Sequence, residues 1–531
     1  MKLEQAIILA IANTEKEGLT DIFTIPFEVG LLKNVLFKEK IASEIKQRIL
    51  SNSLEGLKVH SISHVLFPKK NVYDFRRAAL IDPLDSIIYL SLVLMIADTI
   101  EKARLIKSQN VIFSYRFKNN SPYIFDDKNY NYTTFQNHVI KKSKSPRTKV
   151  LVKCDITSFY DRLNLHRLES TLLSINADPR IVSLLNNLLL FWANRDSYSL
   201  PIGGNASRIL AEAALISVDD YLYSHKIKFC RFVDDYRFFA PDAKTAHNWL
   251  AILVDRLYLE GLTINSAKTS IEIAKKTDDT ETKRQKQEVD RTRIIVGYTG
   301  TVPTKFRELS EKAISTLKEE PLDDLESVII TNEILTPDDV KKYLKVIVAT
   351  KNYHKLVSIN LLVEKFPQFT PYIIDILIKK SNEFSLVARK DIIKYFSSLL
   401  QPPTNLPEYI LISILRLLGT EAYLSKESLM SFWRDLKRNS GAYIGRAVLD
   451  ALAPNVNRTD VLEIRQYFPR ADNWEKRSII RTIYKVIDDE ERRPWLKNVK
   501  IHSAADIFSI EIFSPCGAKK IKGKKKILVH D

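Results

Sequence analysis

Two adjacent carboxylates, Asp234 and Asp235, stand between an apolar run and an aromatic run in the segment 231–239, RFVDDYRFF. The alternation of side chains on both sides predicts a β-hairpin with the carboxylate pair at its tip. Neighbouring carboxylates repel each other, and a bound cation relieves that repulsion. Oxygen ligands of this kind suit Mg²⁺, with Mn²⁺ as the second choice. The segment alone is equally compatible with a solvated turn, since Asp is a common turn residue.

A third carboxylate, Asp155, lies near the C-terminal end of the β-prone run 149–154, KVLVKC. Phe159 and Tyr160 follow it four and five residues later, and a helix is predicted from about Asn164. A lone Asp at a strand end is common. This segment therefore becomes informative only beside the others.

A glycine pair precedes a helix in the segment 200–207, LPIGGNAS, with the helix predicted from Arg208 to about Ser224. Gly203 would let the backbone approach a ligand, and a helix N-terminus favours anionic groups. Farther along, Asn265 and Lys268 form an Asn-x-x-Lys pair after a predicted helix. Each of these patterns is also common at ordinary turns between secondary-structure elements.

The 531 residues carry a formal net charge of +17, which favours a polyanionic partner, nucleic acid before a membrane surface. Three scattered cysteines make neither a disulfide framework nor a zinc site and predict an intracellular protein. The first twenty residues lack the order of a signal peptide. The apolar stretch Leu84–Ala97 is too short and too interrupted to span a bilayer, so no membrane partner is expected.

Several local features organise the first part of the chain. Asp82 is expected to cap a helix that starts at Pro83 and runs to about Arg104. The polar segment 119–147 is expected to be a loop. Three arginines before this segment could bind phosphates, namely Arg76, Arg77 and Arg116. The alternative is that they are solvated arginines on the protein surface.

The pattern changes beyond about residue 305. Apolar residues recur at helical spacing in short segments separated by prolines and glycine, which predicts a helical repeat array of the HEAT type. An irregular helical bundle is the alternative, because no strict period is visible. The predicted domains are 1–305, 306–517 and a basic tail at 518–531 that carries six lysines.

Taken in order, these stretches resemble the palm of reverse transcriptases over about residues 70–300. Asp155 with Phe159 and Tyr160 resembles motif A, 200–207 motif B, and 232–235 motif C. The segment 265–269 is similar to motif D, and Val296-Gly297 more faintly to motif E. The resemblance implies an α+β palm and fingers followed by the all-α HEAT-like region.

The chemistry of that family is nucleotidyl transfer with two divalent ions. The resemblance implies that Asp155 and Asp234 are the main metal ligands, that Asp235 ligates more weakly, and that Lys268 assists the leaving pyrophosphate. It places Ile156, Phe159, Tyr160 and Gly203 at the nucleotide, with Arg76 and Arg77 on its phosphates. An aromatic ring at Tyr160 would clash with a 2′-hydroxyl, which predicts dNTP rather than NTP as the substrate.

The sequence departs from the usual family motifs at two positions, and these departures indicate one group within the family. Ile202 stands where the motif usually has glutamine, and Arg208 where many relatives have proline. Together with the segment 207–212, SRILAE, and the helical C-terminal region, these features resemble bacterial abortive-infection and defence-associated reverse transcriptases. That group implies a cytoplasmic bacterial protein that acts against phage, with DNA synthesis primed by the protein itself, which would leave the product covalently attached, and without a template. The helical array could also supply a homo-oligomer interface.

Two alternatives stay open at the level of the sequence. The first is reverse transcription templated by a dedicated noncoding RNA. The second, of another class, is an inert palm in a helical-repeat scaffold that binds nucleic acid or protein. The intact Asp155, Asp234 and Asp235 argue against the scaffold.

Overall fold

The structure is a computed structural model. It describes residues 1–531 except 21, 23–24, 70–73, 195, 275–305, 307, 332–336, 354, 356–358, 402–404, 437–441, 503–505 and 514–531. The predicted motif E at Val296-Gly297, the predicted boundary at residue 305 and the basic tail at 518–531 lie outside the described residues.

The described chain divides into two compact units. The first comprises Met1–Ile62 and Ala79–Thr280, and the second comprises Ser63–Ala78 and Glu281–Val529. The segment Ser63–Ala78 therefore groups with the C-terminal half, which its position in the sequence does not suggest. The three predicted domain ranges stay a prediction.

A four-stranded sheet forms the centre of the first unit. Its strands are β5 (Val150–Asp155), β6 (Phe229–Phe232), β7 (Asp235–Ala240) and β8 (Ser270–Ile273), in the order β6-β7-β5-β8. All neighbouring strands run antiparallel. The predicted hairpin is thus confirmed as β6 and β7, and β5 lies beside β7.

The first unit also contains helices. In chain order they are α1 (Leu3–Glu17), α2 (Phe27–Leu31), α3 (Val35–Leu50), α4 (Leu54–Leu57), α5 (Pro83–Ala103), α6 (Tyr132–Ser143), α7 (Phe159–Arg162), α8 (Leu165–Ser174), α9 (Pro179–Trp192), α10 (Asn205–Ala214), α11 (Ile216–Ser224) and α12 (Ala243–Leu259). Helix α12 packs against β5 and β7. The single helix predicted after the glycine pair is two helices, α10 and α11, which meet at Leu215.

Helix α5 is the apolar core helix of this unit. It begins at Pro83, and the Asp82 side chain accepts a hydrogen bond from Leu84 N, as predicted. With 21 residues and a mean hydropathy of 1.6 over its most apolar window, it is long and apolar enough to cross a membrane. That window is 78% buried inside the protein, which is typical of a core helix.

The prediction of a loop over 119–147 is wrong. This stretch contains part of the antiparallel pair β3 (Phe117–Asn120) and β4 (Tyr123–Phe125), and it contains α6. Asn131 and Thr134 form a capping box at the start of α6, and Phe135 and Val139 are buried. Helix α6 was not predicted because its residues are mostly polar and its buried face is narrow.

The second unit combines a two-stranded sheet with helices. Its strands are β1 (Ser63–Pro68) and β2 (Phe75–Leu80), of which β2 ends two residues inside the first unit. Its helices are α13 (Glu311–Lys318), α14 (Leu322–Thr331), α15 (Pro337–Thr350), α16 (Ile359–Lys365), α17 (Thr370–Lys379), α18 (Leu386–Ser398), α19 (Glu408–Thr420), α20 (Ala422–Leu436), α21 (Ala442–Leu452), α22 (Arg458–Tyr467), α23 (Asn473–Val486), α24 (Asp489–His502) and α25 (Ile507–Phe513).

Alternate helices of this unit stack on each other. Helix α17 packs on α19, α19 on α21, α21 on α23, and α23 on α25, while α18 packs on α20 in a second row. Contacts between each element and its near neighbours are the arrangement of a repeat array. The helical C-terminal region is confirmed, and its assignment to the HEAT type stays a prediction.

Candidate active site

The antiparallel register of β5 and β7 brings the predicted carboxylates together. Asp155, the last residue of β5, is directly opposite Asp235, the first residue of β7. Ile156 N donates a hydrogen bond to the Asp234 carbonyl at 3.2 Å, which ties the end of β5 to the hairpin tip. Residues 80 positions apart in the sequence therefore lie at the same end of the sheet.

The tip of the hairpin has an unusual backbone. Phe232 pairs with Asp235, so Val233 and Asp234 form a two-residue turn. Val233 has a φ of +56°, in the left-handed region that β-branched residues rarely adopt. Such a conformation costs of order 1–3 kcal/mol and persists only where surrounding contacts hold it.

The carboxylates at the tip repel each other. Burial, together with the charges of Asp155 and Asp235, raises the pKa of Asp234 from 3.8 to about 7. The pKa of Asp235 is also raised, chiefly by burial and partly by Asp155, although Arg237 opposes the shift. Crowded anionic oxygens of this kind are the donor set that a divalent cation stabilises.

Lys268 supplies positive charge to this group. Its Nζ lies 3.0 Å from Asp155 Oδ2, and its side chain is 61% exposed. Burial opposes the charge on Lys268, but the hydrogen bond to Asp155 raises its pKa. A 3-10 turn over Ser266–Lys268 positions the side chain, and Asn265 N donates to the Asp155 carbonyl at 2.7 Å. Within the predicted Asn-x-x-Lys pair, Lys268 thus contacts the carboxylate of Asp155, and Asn265 contacts its backbone.

A different group of metal-ligating atoms lies elsewhere in the first unit. Within the described residues, His60, Asp82 and Asp85 have ligand atoms within 4.8 Å of one another. Asp155, Asp234 and Asp235 are not among the groups that meet this distance. Asp82 caps α5, and Asp85 Oδ2 accepts hydrogen bonds from His60 N and pairs with His60 Nδ1. Local structure therefore accounts for Asp82 and for one oxygen of Asp85, while Asp85 Oδ1 is buried without a hydrogen-bond partner among the described residues.

Sequence comparison supports the interpretation of the carboxylate site. Residues 98–299 match the family model of reverse transcriptase (RNA-dependent DNA polymerase). This segment is of the reverse-transcriptase type. The match includes β5, the hairpin and Lys268, and a domain of this type indicates a nucleotidyltransferase. No curated protein sequence matches the chain significantly.

Telomerases are among the similar solved structures. A C-terminally truncated apo telomerase from Candida tropicalis shares 17% identity over 40% of this chain and 49% of its own, with a TM-score of 0.27. A Candida albicans telomerase in complex with a TWJ fragment of telomeric RNA shares 14% identity over 78% and 68%, with a TM-score of 0.30. The chain spans about half the length of the first of these chains.

The residues predicted to contact the nucleotide follow β5 in the reverse-transcriptase segment. Ile156 bridges to Ile264, and Phe159 and Tyr160 begin the short helix α7. All three are buried, with Tyr160 5% exposed and its ring 5.6 Å from that of Phe159. Tyr160 is therefore a buried residue packed beside Phe159, and its contact with a sugar stays a prediction.

Gly203 is required by the fold for a reason that the sequence did not suggest. Its φ is +123°, and a Cβ at this position would lie 2.4 Å from Thr20 Oγ1. The N-terminal segment thus occupies the space that a side chain would fill. Asn205 Nδ2 reinforces this contact through hydrogen bonds to Asn13 and Glu17 of α1. An approach of nucleotide or template to Gly203 stays a prediction.

The three predicted phosphate-binding arginines lie in two different places. Arg76 and Arg77 are on β2, in the second unit, and their contact with phosphates stays a prediction. The same prediction for Arg116 is wrong, because Arg116 is 2% exposed and its Nε lies 2.9 Å from Glu101. Burial and the neighbouring Arg104 lower the pKa of Arg116 to about 10.

Sequence reasoning missed the side chains behind the hairpin tip. Ser114, Glu212, Asp219 and Arg231 are all buried and hydrogen-bonded to one another or to the Val233 backbone. The one available signal was Arg231 itself, a charged residue within an apolar strand, since buried charges require partners. Nothing in the sequence identified those partners.

Proposed function

We propose that this protein is a metal-dependent DNA polymerase of the reverse-transcriptase type that transfers deoxynucleotidyl groups from dNTPs to a growing DNA end, with release of pyrophosphate. The observation that carries the proposal is the pairing of Asp155 with Asp235 at adjacent strand ends, with Lys268 bonded to Asp155. The family match to residues 98–299 supports it. The structural pairing and the family match both include Asp155, Asp235 and Lys268, which the sequence analysis had predicted to be catalytic.

Asp155 and Asp234 would hold the metal ions, with Asp235 as a weaker ligand. The pKa of Asp234 is raised by burial and, after that, by the charges of Asp155 and Asp235, which a bound cation would offset. Bound Mg²⁺ would lower the pKa of the attacking hydroxyl and stabilise charge on the phosphates. The attacking oxygen bonds to the α-phosphorus as the bond to the β-phosphate oxygen breaks. Lys268 lies beside Asp155 with its ammonium exposed, where it can donate a proton to the departing pyrophosphate.

The proposal has two forms, which differ in whether DNA synthesis requires a template. Template-independent, protein-primed synthesis fits the resemblance to defence-associated enzymes, in which the DNA would be covalently attached to a Tyr or Ser of this chain. Synthesis on an RNA template is favoured by the family description, RNA-dependent DNA polymerase. The sequence of the product separates them, since complementary DNA requires a template.

Incorporation of labelled nucleotides tests the proposal. Purified wild type and the variant Asp234→Ala/Asp235→Ala receive each dNTP or NTP with Mg²⁺, with and without cellular RNA. We expect wild type alone to incorporate dNTPs, and a denaturing gel then shows whether the DNA migrates with the protein. Equal incorporation by both proteins would contradict the proposal. If neither protein incorporates nucleotides in the presence of RNA, the inert-scaffold alternative is favoured.

We further propose that the polymerase acts in the bacterial cytoplasm against phage, as a homo-oligomer assembled through the helical unit. The support is the resemblance of 207–212, SRILAE, together with the stacked helices after the palm. Cells that express the wild type should restrict phage plating, and cells with Asp234→Ala/Asp235→Ala should not. Equal restriction would show that the carboxylates are dispensable for defence.

A further inference from the structure

Side-chain groups hold both polar atoms of the Val233 backbone. Ser114 Oγ accepts a hydrogen bond from Val233 N at 2.9 Å and donates one to Glu212 Oε1 at 2.5 Å. The Arg231 guanidinium donates to the Val233 carbonyl at 2.8 Å. The residue just before the two hairpin carboxylates is therefore fixed from both sides.

Ser114 and Arg231 are themselves fixed by a buried network of charges. Arg231 donates to Glu212 at 3.0 Å and to both oxygens of Asp219, and Arg104 donates to Glu212 at 2.7 Å. Two cations thus face two anions, and all four side chains are less than 5% exposed. Burial opposes the charge on Glu212, yet Arg231 and Arg104 lower its pKa below the usual value. Such a network favours one geometry, because any unpaired member would be costly.

The backbone brings Ser114 to the tip. The segment 111–113 runs parallel to β6, with Phe113 N donating to the Arg231 carbonyl at 2.9 Å and Arg231 N to the Val111 carbonyl at 2.8 Å. Arg104 donates to the Ser114 carbonyl at 2.7 Å. Ser114 is therefore placed by main-chain pairing and not by its own side chain alone.

We propose that Ser114 is a positioning residue for the metal-binding carboxylates. With Arg231 and Glu212, its hydroxyl holds Val233 in the left-handed conformation and thereby sets the direction in which Asp234 and Asp235 leave the hairpin tip. Without the hydroxyl, Val233 would relax towards the conformations that β-branched residues prefer. This inference rests on the proposed function, since it assigns a role to those carboxylates.

The variant Ser114→Ala tests the role, with Ser91→Ala as its matched control. Ser91 is also fully buried, but its hydroxyl donates to the Ile87 carbonyl within α5 and has no contact with the hairpin. Mn²⁺ binding is measured by the loss of the free-ion electron paramagnetic resonance signal, and dNTP incorporation gives kcat and KM. We expect Ser114→Ala to lose about 10–100-fold in Mn²⁺ affinity and in kcat. The KM for dNTP should match that of Ser91→Ala, whereas the Tm should fall further than in Ser91→Ala, because Val233 N and Glu212 each lose a buried hydrogen-bond partner.

A second substitution distinguishes positioning from general packing. Glycine adopts positive φ without steric cost. Adding Val233→Gly to Ser114→Ala should therefore recover Mn²⁺ affinity relative to Ser114→Ala alone. If Ser114 only filled the core, the second substitution would weaken binding further, and the proposal would be overturned.

The two measurements separate this inference from the proposed function. If wild type polymerises and Ser114→Ala equals Ser91→Ala in kcat and Mn²⁺ affinity, the positioning role is wrong and the polymerase stands. If wild type incorporates no nucleotide, yet Mn²⁺ binding requires Asp234 and Asp235 and weakens in Ser114→Ala, the positioning role stands without the polymerase. Mn²⁺ binding that does not depend on these carboxylates overturns both.

Discussion

Tyr160 provides a residue-scale test of substrate choice. Its ring is buried beside Phe159, five residues after Asp155, where the proposed nucleotide sugar would lie. Tyr160→Val should raise the relative use of NTP over dNTP by about 10–100-fold, because the smaller side chain no longer excludes a 2′-hydroxyl. Tyr160→Phe keeps the ring and should keep the discrimination.

The ratio of kcat/KM for NTP and dNTP is the appropriate measurement for these variants. Shortening a buried aromatic residue costs about 3–5 kcal/mol and reduces the folded fraction, but both rates fall together and their ratio does not change. An unchanged ratio in Tyr160→Val would mean that the ring belongs to the core and does not face the sugar.

Individual residues also show what the sequence can and cannot predict. Asp155, Asp234 and Asp235 could be selected because residue type and strand position are local properties. The partner of Val233 could not be selected, because its hydrogen bond to Ser114 joins positions 119 residues apart. Gly203 was predicted to let the backbone approach a ligand, but only the fold reveals that Thr20 fills the space beside it.

At the scale of single elements, Glu475 at the start of α23 makes folding sensitive to pH. Burial and the neighbouring Asp472 raise the pKa of Glu475 from 4.5 to about 7. A raised carboxyl pKa gives stability that is complete below 4.5 and is lost as the pH rises through about 7. Glu475→Gln carries no charge, so its free energy of unfolding should exceed that of the wild type by about 1–3 kcal/mol at pH 7.5.

The measurement is the Tm of wild type and Glu475→Gln at pH 5 and pH 7.5. Glutamine can still accept the hydrogen bonds that Asp472 N and the Tyr467 hydroxyl donate to Glu475. The advantage of the variant should therefore appear at pH 7.5 and shrink at pH 5. A difference in Tm that is equal at both pH values would show that charge is not its cause.

Helices and strands were predicted correctly where particular residues in the sequence mark their ends. Asp82 and Pro83 mark the start of α5, and the hairpin follows from alternation around Asp234 and Asp235. Helix α6 was missed because its residues are mostly polar and only a few of them are buried. Its stability comes from the capping box at Asn131 and from those few contacts, neither of which composition reveals.

At the scale of the whole molecule, Ser63–Ala78 belongs to the C-terminal unit although the chain places it among residues of the first. Strand β1 packs against α19, and the Phe67 and Tyr409 rings lie 6.2 Å apart. Contacts between positions so distant in the sequence leave no local signal. A cut of the chain near residue 280 would therefore deprive β1 of its partner helix.

Residues 1–280 expressed alone should consequently self-associate. Val65 and Phe67 are 1% and 7% exposed in the full chain, and loss of α19 would leave apolar surface on β1 without its cover. Size-exclusion chromatography should show large species for residues 1–280 and a monomer when Val65→Ser and Phe67→Ser are added. The same two substitutions in the full chain should lower Tm, because they remove buried apolar groups from the C-terminal unit. A monomeric unsubstituted fragment would mean that Ser63–Ala78 does not depend on the helices for its cover.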